Sequence, residues 1–426
     1  MDGEIVLRHL SFPLGVAAAL CAASLSGILG TSAAARVEPE ARPLRVLFLG
    51  HDQEQHHPSS KLLPLLAAPL ARRGIQLTHV MTPEEALTPA KLAHYDALMI
   101  YANHKTMTPE QEKALLDFVE GGKGLVAIHC ASFMFTESER YIPLIGGQFL
   151  RHGTGEFTAD IVNRDHPAIS GVKPFKTWDE TYVHTRHNPV NRTVLMERVD
   201  GEGREPYTWV RTEGKGRVFY TAYGHDERTW SQPEFHRLIE KGLIWTVDEA
   251  ARKSWQQVDM PPVTYIEGFN VPNYENRNPA PQYQMPLSAK ESMKFIQHPA
   301  EFRLELFASE PDIVKPITFS FDERGRLWVI EARDYPNLVL QGAPGHDRIK
   351  ILEDTDGDGR ADKVTVFADR LNLPSSLVFA NGGVIVAAAP HMLFLKDTNG
   401  DDKADVREVL STGWGTRDSH AGPSNL

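Results

Sequence analysis

Histidines recur close to carboxylates in the first 230 residues of the chain. The group consists of His51, His129, His152, Asp179, Glu180, His184 and His225. A histidine beside a carboxylate can act as a general base, or it can bind a divalent metal ion while the carboxylate orients its ring. We predict that His129, His225, Glu180 and Asp179 are catalytic, with a divalent metal in the same crevice as the other use of such a group. Each histidine alone also fits a surface or capping position, because the chain has 18 of them.

The stretch GLVAIHCASF (residues 124–133) predicts a buried strand that ends in a sharp turn. A turn of the nucleophile-elbow type crowds the positions two before and two after its central residue, so both are normally small. A turn centred on His129 has alanine at both positions, whereas a turn centred on Cys130 has isoleucine at one of them. We therefore expect His129 at the point of the bend and Cys130 behind it. Two alternatives stay open: a thiol hydrolase that uses Cys130, and a strand that ends at His129 without such a turn.

Apolar segments alternate with helical segments from residue 44 onwards. Strand-like runs such as LRVLFLG (44–50) are separated by stretches such as TPEQEKALLDFVEGG (108–122), which has a threonine cap and glycine at its end. This order predicts an α/β fold of the flavodoxin-like kind, with a parallel sheet covered by helices on both faces. The carboxyl ends of such strands meet in one crevice, and several of the histidines fall there. We place this domain at residues 43–252 and a proline-rich linker at residues 253–300.

The remainder, residues 301–426, is predicted to be all-β. Polar and apolar residues alternate, and the loop DTDGDGRAD (354–362) returns as DTNGDDKAD (397–405). A repeat of this length is typical of β-propeller blades, and about two or three blades fit where closure needs about four to eight, so we expect an incomplete propeller. The acidic side chains have the spacing that suits calcium. The predicted calcium ligands are Asp354, Asp356, Asp358, Asp362, Asp397, Asn399, Asp401 and Asp405. Tight turns without an ion are the alternative.

Composition and the N-terminal segment indicate which partners to exclude and where in the cell the protein acts. The net charge is −11, from 45 basic and 56 acidic residues, so we expect no nucleic-acid partner. An apolar run from Leu10 to Gly30 followed by small residues predicts an export signal at residues 1–35, and hence a periplasmic or extracellular protein. If the signal is retained, it would associate the chain with a membrane. If it is removed, Cys130 is the only cysteine left, and no internal disulfide is expected.

The first domain resembles the ThuA-like family of trehalose utilisation. The matching segments are LVAIHCAS, GGQFLRHG, DHPAISGV, WDETY and GRVFYTAYGHDERTW, which together span most of residues 44–250. The resemblance implies a fold like that of class I glutamine amidotransferases without their catalytic cysteine. It also implies a carbohydrate ligand, with processing of oxidised disaccharides as one expectation. On that basis His51, His152, His184, Tyr182 and Trp230 are the predicted substrate-binding residues, and Trp178 is a further aromatic candidate for stacking on a sugar ring.

Residues 302–426 resemble the start of a glucose and sorbosone dehydrogenase-like propeller. The resemblance rests on GRLWVIEARDYP, the two acidic loops and DSHAGPSNL, and it singles out His420 as a candidate base. The sequence contains no C-x-x-C-H motif for a haem, and it does not identify a redox cofactor. Our first hypothesis is an exported enzyme that acts on a sugar or oxidised sugar by histidine and carboxylate chemistry. The second is a glycan-binding scaffold without catalysis, stabilised by calcium.

Overall fold

The structure, a computed structural model, describes residues 40–52, 56–277, 280–336, 344–416, 419, 422–424 and 426. The predicted export signal and His420 lie outside these residues. Within the described part of the chain, no helix combines the length and the apolar character needed to cross a bilayer.

In the part of the first domain that the structure describes, there are twelve strands. They are β1 (Leu44–Gly50), β2 (Ile75–Val80), β3 (Ala97–Tyr101), β4 (Gly124–Ile128), β5 (Gln148–Arg151), β6 (Thr154–Phe157), β7 (Asp160–Ile161), β8 (Thr177–Glu180), β9 (Val183–Thr185), β10 (Arg192–Asp200), β11 (Gly203–Glu213) and β12 (Gly216–Thr221). Eight of them form one sheet in the order β2-β1-β3-β4-β12-β11-β10-β7. The α/β prediction is confirmed. The sheet is mixed, however. The first five strands in this order, from β2 to β12, run parallel to one another. The last three, β11, β10 and β7, are antiparallel to their neighbours.

Among the described residues of this domain, eight α-helices and two short 3-10 helices lie between or after these strands. They are α1 (Ser59–Ala71), α2 (Pro83–Ala86), α3 (Pro89–Leu92), α4 (Pro109–Glu120), α5 (Tyr141–Ile145), α6 (Glu227–Trp230), α7 (Pro233–Thr246) and α8 (Glu249–Gln256), with 3-10 turns at His129–Phe133 and Pro167–Ile169. Helices α1, α4 and α7 pack on the sheet, whose strands β3 and β4 are buried along their whole length. At Gly242 of α7, an added Cβ would lie 2.6 Å from the ring of Phe219 on β12. Glycine therefore lets this helix approach the sheet closely.

The segment after α8 runs over the edge of the first domain. It is mostly irregular up to helix α9 (Ala289–Met293). The side chain of Gln297 accepts a hydrogen bond of 2.6 Å from the backbone N–H of Leu77, which lies on the edge strand β2. The carboxylate of Glu301 accepts a hydrogen bond from Tyr95 and lies 2.7 Å from Nζ of Lys91. These contacts satisfy polar groups at the sheet edge and attach the segment to it.

The rest of the chain forms two four-stranded antiparallel sheets, as the all-β prediction requires. The strands are β13 (Pro316–Phe321), β14 (Leu327–Glu331), β15 (Asp347–Glu353), β16 (Lys363–Leu371), β17 (Pro374–Ala380), β18 (Gly383–Ala388), β19 (His391–Lys396) and β20 (Val406–Thr412). Each sheet has its strands in chain order. One apolar core joins the sheets and includes Trp328, Ile351, Phe367 and Val386. The two acidic loops connect the third strand to the fourth in both sheets, which explains why the sequence repeats.

Candidate active site

Residue His129 lies directly after strand β4 and turns the chain. Its φ of +49° is in the left-handed region, which few residues other than glycine adopt. The flanking Ala127 and Ala131 are completely buried, so larger side chains would not fit there. The neighbouring thiol of Cys130 is buried, and this burial raises its pKa. The bend therefore carries an imidazole, but that imidazole is itself 0% exposed, because the ring of Tyr182 stacks on it at 4.1 Å.

Four side chains converge at this bend: His57, His129, Glu180 and His225. Their ligand atoms all lie within 4.8 Å of one another. Nε2 of His129 is 3.2 Å from Oε2 of Glu180, and Nδ1 of His225 is 3.3 Å from Oε1 of the same carboxylate. Nε2 of His57 is 3.2 Å from Nδ1 of His225. We call these four residues the His/Glu cluster.

Buried hydrogen bonds hold the cluster in place. Nδ1 of His129 lies 2.7 Å from the carbonyl oxygen of Ala222, which fixes the tautomer with the proton on Nδ1. The carboxylate of Asp179 accepts hydrogen bonds from the backbone N–H groups of Gly224 and His225 and from the hydroxyl of Thr229. These bonds and one from its neighbour Glu180 use both oxygens. We predicted Asp179 to be catalytic, but its carboxylate binds the backbone at Gly224 and His225 and so holds His225 in position.

The electrostatics of the cluster favour a charged carboxylate. Burial alone would raise the pKa of Glu180, but the nearby imidazoles of His129 and His225 lower it well below its usual range. Burial lowers the pKa of His225, while the carboxylate of Glu180 outweighs this effect and raises it. Burial and the two neighbouring imidazoles lower the pKa of His57 to about 2. Glu180 is therefore ionised and His57 neutral at neutral pH.

Two of the predicted substrate-binding histidines lie nearer the surface. Nδ1 of His152 is 3.5 Å from Oε1 of Glu180, and its side chain is 39% exposed. The ring of His51 stacks on His104 at 4.2 Å, and its Nδ1 lies 2.8 Å from Oδ1 of Asn103. We call the partly exposed side chains around the cluster its rim, and His152 belongs to it. His51 instead forms a pair of stacked rings with His104, and these two residues follow β1 and β3.

Three other predicted substrate-binding residues lie in the core instead. The ring nitrogens of His184 lie 2.8 Å from Glu205 and 2.9 Å from the hydroxyl of Tyr220. Trp230 is completely buried and donates to the carbonyl of Gly224. Tyr182 is 3% exposed. Burial leaves these side chains almost no surface for a ligand and favours a role in supporting the cluster.

Comparison with known families identifies the first domain. Residues 45–246 match the ThuA family model, described as trehalose utilisation. This part of the chain is a ThuA family domain. Residues 288–426 match the model of DUF7133, described as a domain of unknown function. No curated protein matches the chain.

Solved structures with a related fold include two described as putative ThuA-like proteins. The one from Parabacteroides merdae is 18% identical, with 48% of this chain and 90% of that chain covered and a TM-score of 0.42. The one from Bacteroides uniformis is 17% identical, covers 51% and 95% of the two chains, and has a TM-score of 0.41. A cytoplasmic protein from Salmonella typhimurium is 13% identical, covers 48% and 100%, and has a TM-score of 0.37.

The sequence analysis did not single out His57 or Arg228, which belong to the cluster and its rim in the ThuA domain. His57 follows β1 by seven residues and has a φ of +55°, and its ring lies beside those of His129 and His225. The guanidinium of Arg228 lies 3.4 Å over the ring of Trp178 and pairs with Asp226. Trp178 is two residues before Glu180 on β8, so both side chains are on the same face of this strand. Strand alternation was the signal that could have linked Trp178 to the cluster.

The acidic loops lie apart in sequence from the ThuA domain and differ from each other. In the first loop, carboxylate oxygens of Asp354, Asp356 and Asp362 lie within 4.8 Å of one another. Both oxygens of Asp354 also accept backbone hydrogen bonds, including one from Gly359. Within the described ranges, the second loop shows no such group of three. Its predicted ligands Asp397, Asn399, Asp401 and Asp405 accept hydrogen bonds from their own loop.

Proposed function

We propose that the ThuA domain is an enzyme domain that acts on a sugar or an oxidised sugar through the His/Glu cluster. The observation that carries the proposal is the convergence of His129, Glu180 and His225 near the carboxyl ends of β4, β8 and β12. Parallel α/β sheets bind their ligands at this end of the strands. The description of the family as trehalose utilisation supports a carbohydrate as the substrate class.

Glu180 carries the negative charge of the cluster. Because its pKa is held low, the carboxylate stays charged, so it can accept a hydrogen bond from a sugar hydroxyl or hold a cation. The partly exposed His152 lies 3.5 Å from Oε1 of this carboxylate, so the carboxylate is close to a side chain that solvent reaches.

The rim offers polar recognition suited to a neutral sugar. Arg228 stacks on Trp178 and is paired with the carboxylate of Asp226, so this pair has no net charge. A paired guanidinium and carboxylate donate to and accept from neighbouring hydroxyl groups, whereas an unpaired guanidinium would favour a phosphate. We therefore expect neutral sugars to bind better than phosphorylated ones.

For the remainder of the chain, we propose that the two four-stranded sheets are blades of a dehydrogenase-like propeller with calcium in their acidic loops. Their common strand order and the equivalent position of the loops in both sheets support this proposal. Export remains a proposal that rests on the apolar sequence of residues 1–35.

Incubation with a panel of sugars tests the proposed function. The panel holds neutral disaccharides, their 3-keto forms and phosphorylated counterparts, and both product formation and the shift in melting temperature are measured. We expect product from a neutral sugar. A shift in melting temperature without product would contradict an enzyme and support a glycan-binding scaffold, and no response to any sugar would contradict both.

A further inference from the structure

We propose that the His/Glu cluster holds one divalent transition-metal ion, with His57, His129, Glu180 and His225 as its ligands. The inference deepens the proposed function: the role of the ion in turnover rests on that function, whereas binding of the ion does not. Imidazole nitrogens with one carboxylate oxygen are the ligands that suit zinc, cobalt, nickel or iron.

The spacing of the ligand atoms fits such an ion. Metal–ligand distances of about 2.0–2.1 Å in a tetrahedral site place neighbouring ligand atoms about 3.4 Å apart. In the cluster, three neighbouring pairs are separated by 3.2, 3.3 and 3.2 Å. The two pairs that involve Glu180 use different oxygens of its carboxylate, and one ligand atom of each of the four residues lies within 4.8 Å of the others, which is close to the spacing that one metal ion requires.

The hydrogen-bonding pattern at His129 leaves a buried atom that an ion would satisfy. Its Nδ1 proton is donated to the carbonyl of Ala222, so Nε2 of the neutral ring has a lone pair directed toward the carboxylate of Glu180. Among the described residues, Nε2 has no hydrogen-bond partner although the side chain is completely buried. When Nε2 carries no proton, two acceptors lie 3.2 Å apart in a buried site, and a cation between them would satisfy both.

The supporting contacts are those expected around a metal ligand. A metal-bound histidine commonly donates its second nitrogen to a carbonyl or carboxylate, which fixes the ring, and His129 does so to Ala222. Asp179 holds the backbone of His225 through a second buried hydrogen bond. When bound, a divalent ion supplies Lewis-acid polarisation of a carbonyl or hydroxyl oxygen.

Metal titration of the full chain tests the inference independently of activity. The protein is stripped with a chelator and titrated with Co²⁺ and, in parallel, Zn²⁺, in excess Ca²⁺ to occupy the acidic loops. Visible absorption of the bound cobalt reports its coordination, and elemental analysis reports the stoichiometry. We expect one tight site per chain with the spectrum of four- or five-coordinate cobalt.

Two variants identify the ligands. Because asparagine tolerates the left-handed conformation of residue 57, His57→Asn preserves the loop, and Glu180→Gln preserves the shape of its side chain. We expect each to weaken binding about 100-fold or more, with thermal unfolding confirming that both fold. His94→Gln changes an exposed histidine away from the cluster and is expected to bind like the wild type.

The outcomes separate this inference from the proposed function. Absence of a tight site, or variants that bind as tightly as the wild type, would overturn the metal centre. A tight site without sugar turnover supports the metal centre and contradicts only the proposed function. Sugar turnover by a protein without any tight site would support the proposed function and contradict the metal centre.

Discussion

Nε2 of His129 lies 3.2 Å from Oε2 of Glu180, inside a domain in which the imidazole is completely buried. The bend after β4 supplies the histidine, and β8 supplies the carboxylate. This contact joins the parallel half of the sheet to a strand pair outside it. It is the centre of the proposed site, and the predictions below concern the residues that form, support or surround it.

The thiol of Cys130 is predicted to be unreactive in the folded protein. It is 1% exposed, so a reagent cannot reach the sulfur. Burial also raises its pKa, which disfavours the reactive thiolate. Iodoacetamide labelling followed by mass spectrometry, in a Cys21→Ser background, should modify Cys130 only after denaturation. Rapid labelling of the native protein would restore the thiol hydrolase as a candidate.

Replacing Asp179 by asparagine should destabilise the domain and the site together. The NH₂ group of asparagine cannot accept the hydrogen bonds that Gly224 and Thr229 donate to the carboxylate. We expect the lost bonds to lower the free energy of unfolding by about 1–3 kcal/mol. Chemical denaturation measures this loss. Asp160→Asn is the matched control, because that carboxylate forms only an exposed ion pair with Arg204 and should change stability little. Equal stability of the two variants would contradict the positioning role of Asp179.

The ThuA domain should lose stability as the pH falls below about 6.5. Burial lowers the pKa values of His79, His104, His184 and His236 from that value, with smaller opposing effects from neighbouring groups. The unfolded chain therefore binds more protons than the folded one below pH 6.5, and stability present above this pH is lost on acidification. The loss is up to about 1.4 kcal/mol per pH unit for the fully buried His184, and less for the half-buried three.

Denaturant unfolding between pH 7.5 and pH 5 measures this loss. A free energy of unfolding that does not depend on pH over this range would show that these histidines are protonated in the folded state.

The first acidic loop is predicted to bind calcium more tightly than the second. Asp354, Asp356 and Asp362 bring three carboxylates together, and such oxygen-rich loops suit calcium. Calorimetric titration of the full chain should lose its stronger phase in Asp362→Asn and keep it in Asp405→Asn, the equivalent change in the second loop. Loss of the stronger phase in the second variant instead would reverse this assignment.

The sequence predicts the features of this fold that depend on local steric rules. Alanine on both sides of His129 predicted the bend, and the alternation of apolar and helical segments predicted the α/β sheet. The antiparallel part also had a local signal, since Asp200 pairs with Gly203 across a two-residue turn that contains Gly201 at a φ of +60°. We nevertheless expected a parallel sheet, because the preceding pattern favoured one.

Features that depend on long-range packing could not be predicted. No local pattern in the sequence places His57 in the cluster. Tyr182, Trp230 and His184 have the residue types of a sugar site, but tertiary packing places them in the core. Sequence patterns show that a residue lies at the end of a strand. They do not show whether its side chain is buried, because that depends on segments distant in the sequence that pack over it.

The kinetics of Glu180→Gln test the central claim most directly. The glutamine keeps the shape of the side chain but removes the charge that lies between His129 and His225. The kcat/KM for the sugar that the wild-type protein turns over should fall about 100-fold or more, while Glu156→Gln, an exposed carboxylate paired with Lys176, should retain wild-type kinetics. Turnover by Glu180→Gln at the wild-type rate would contradict the assignment of the His/Glu cluster as the active site.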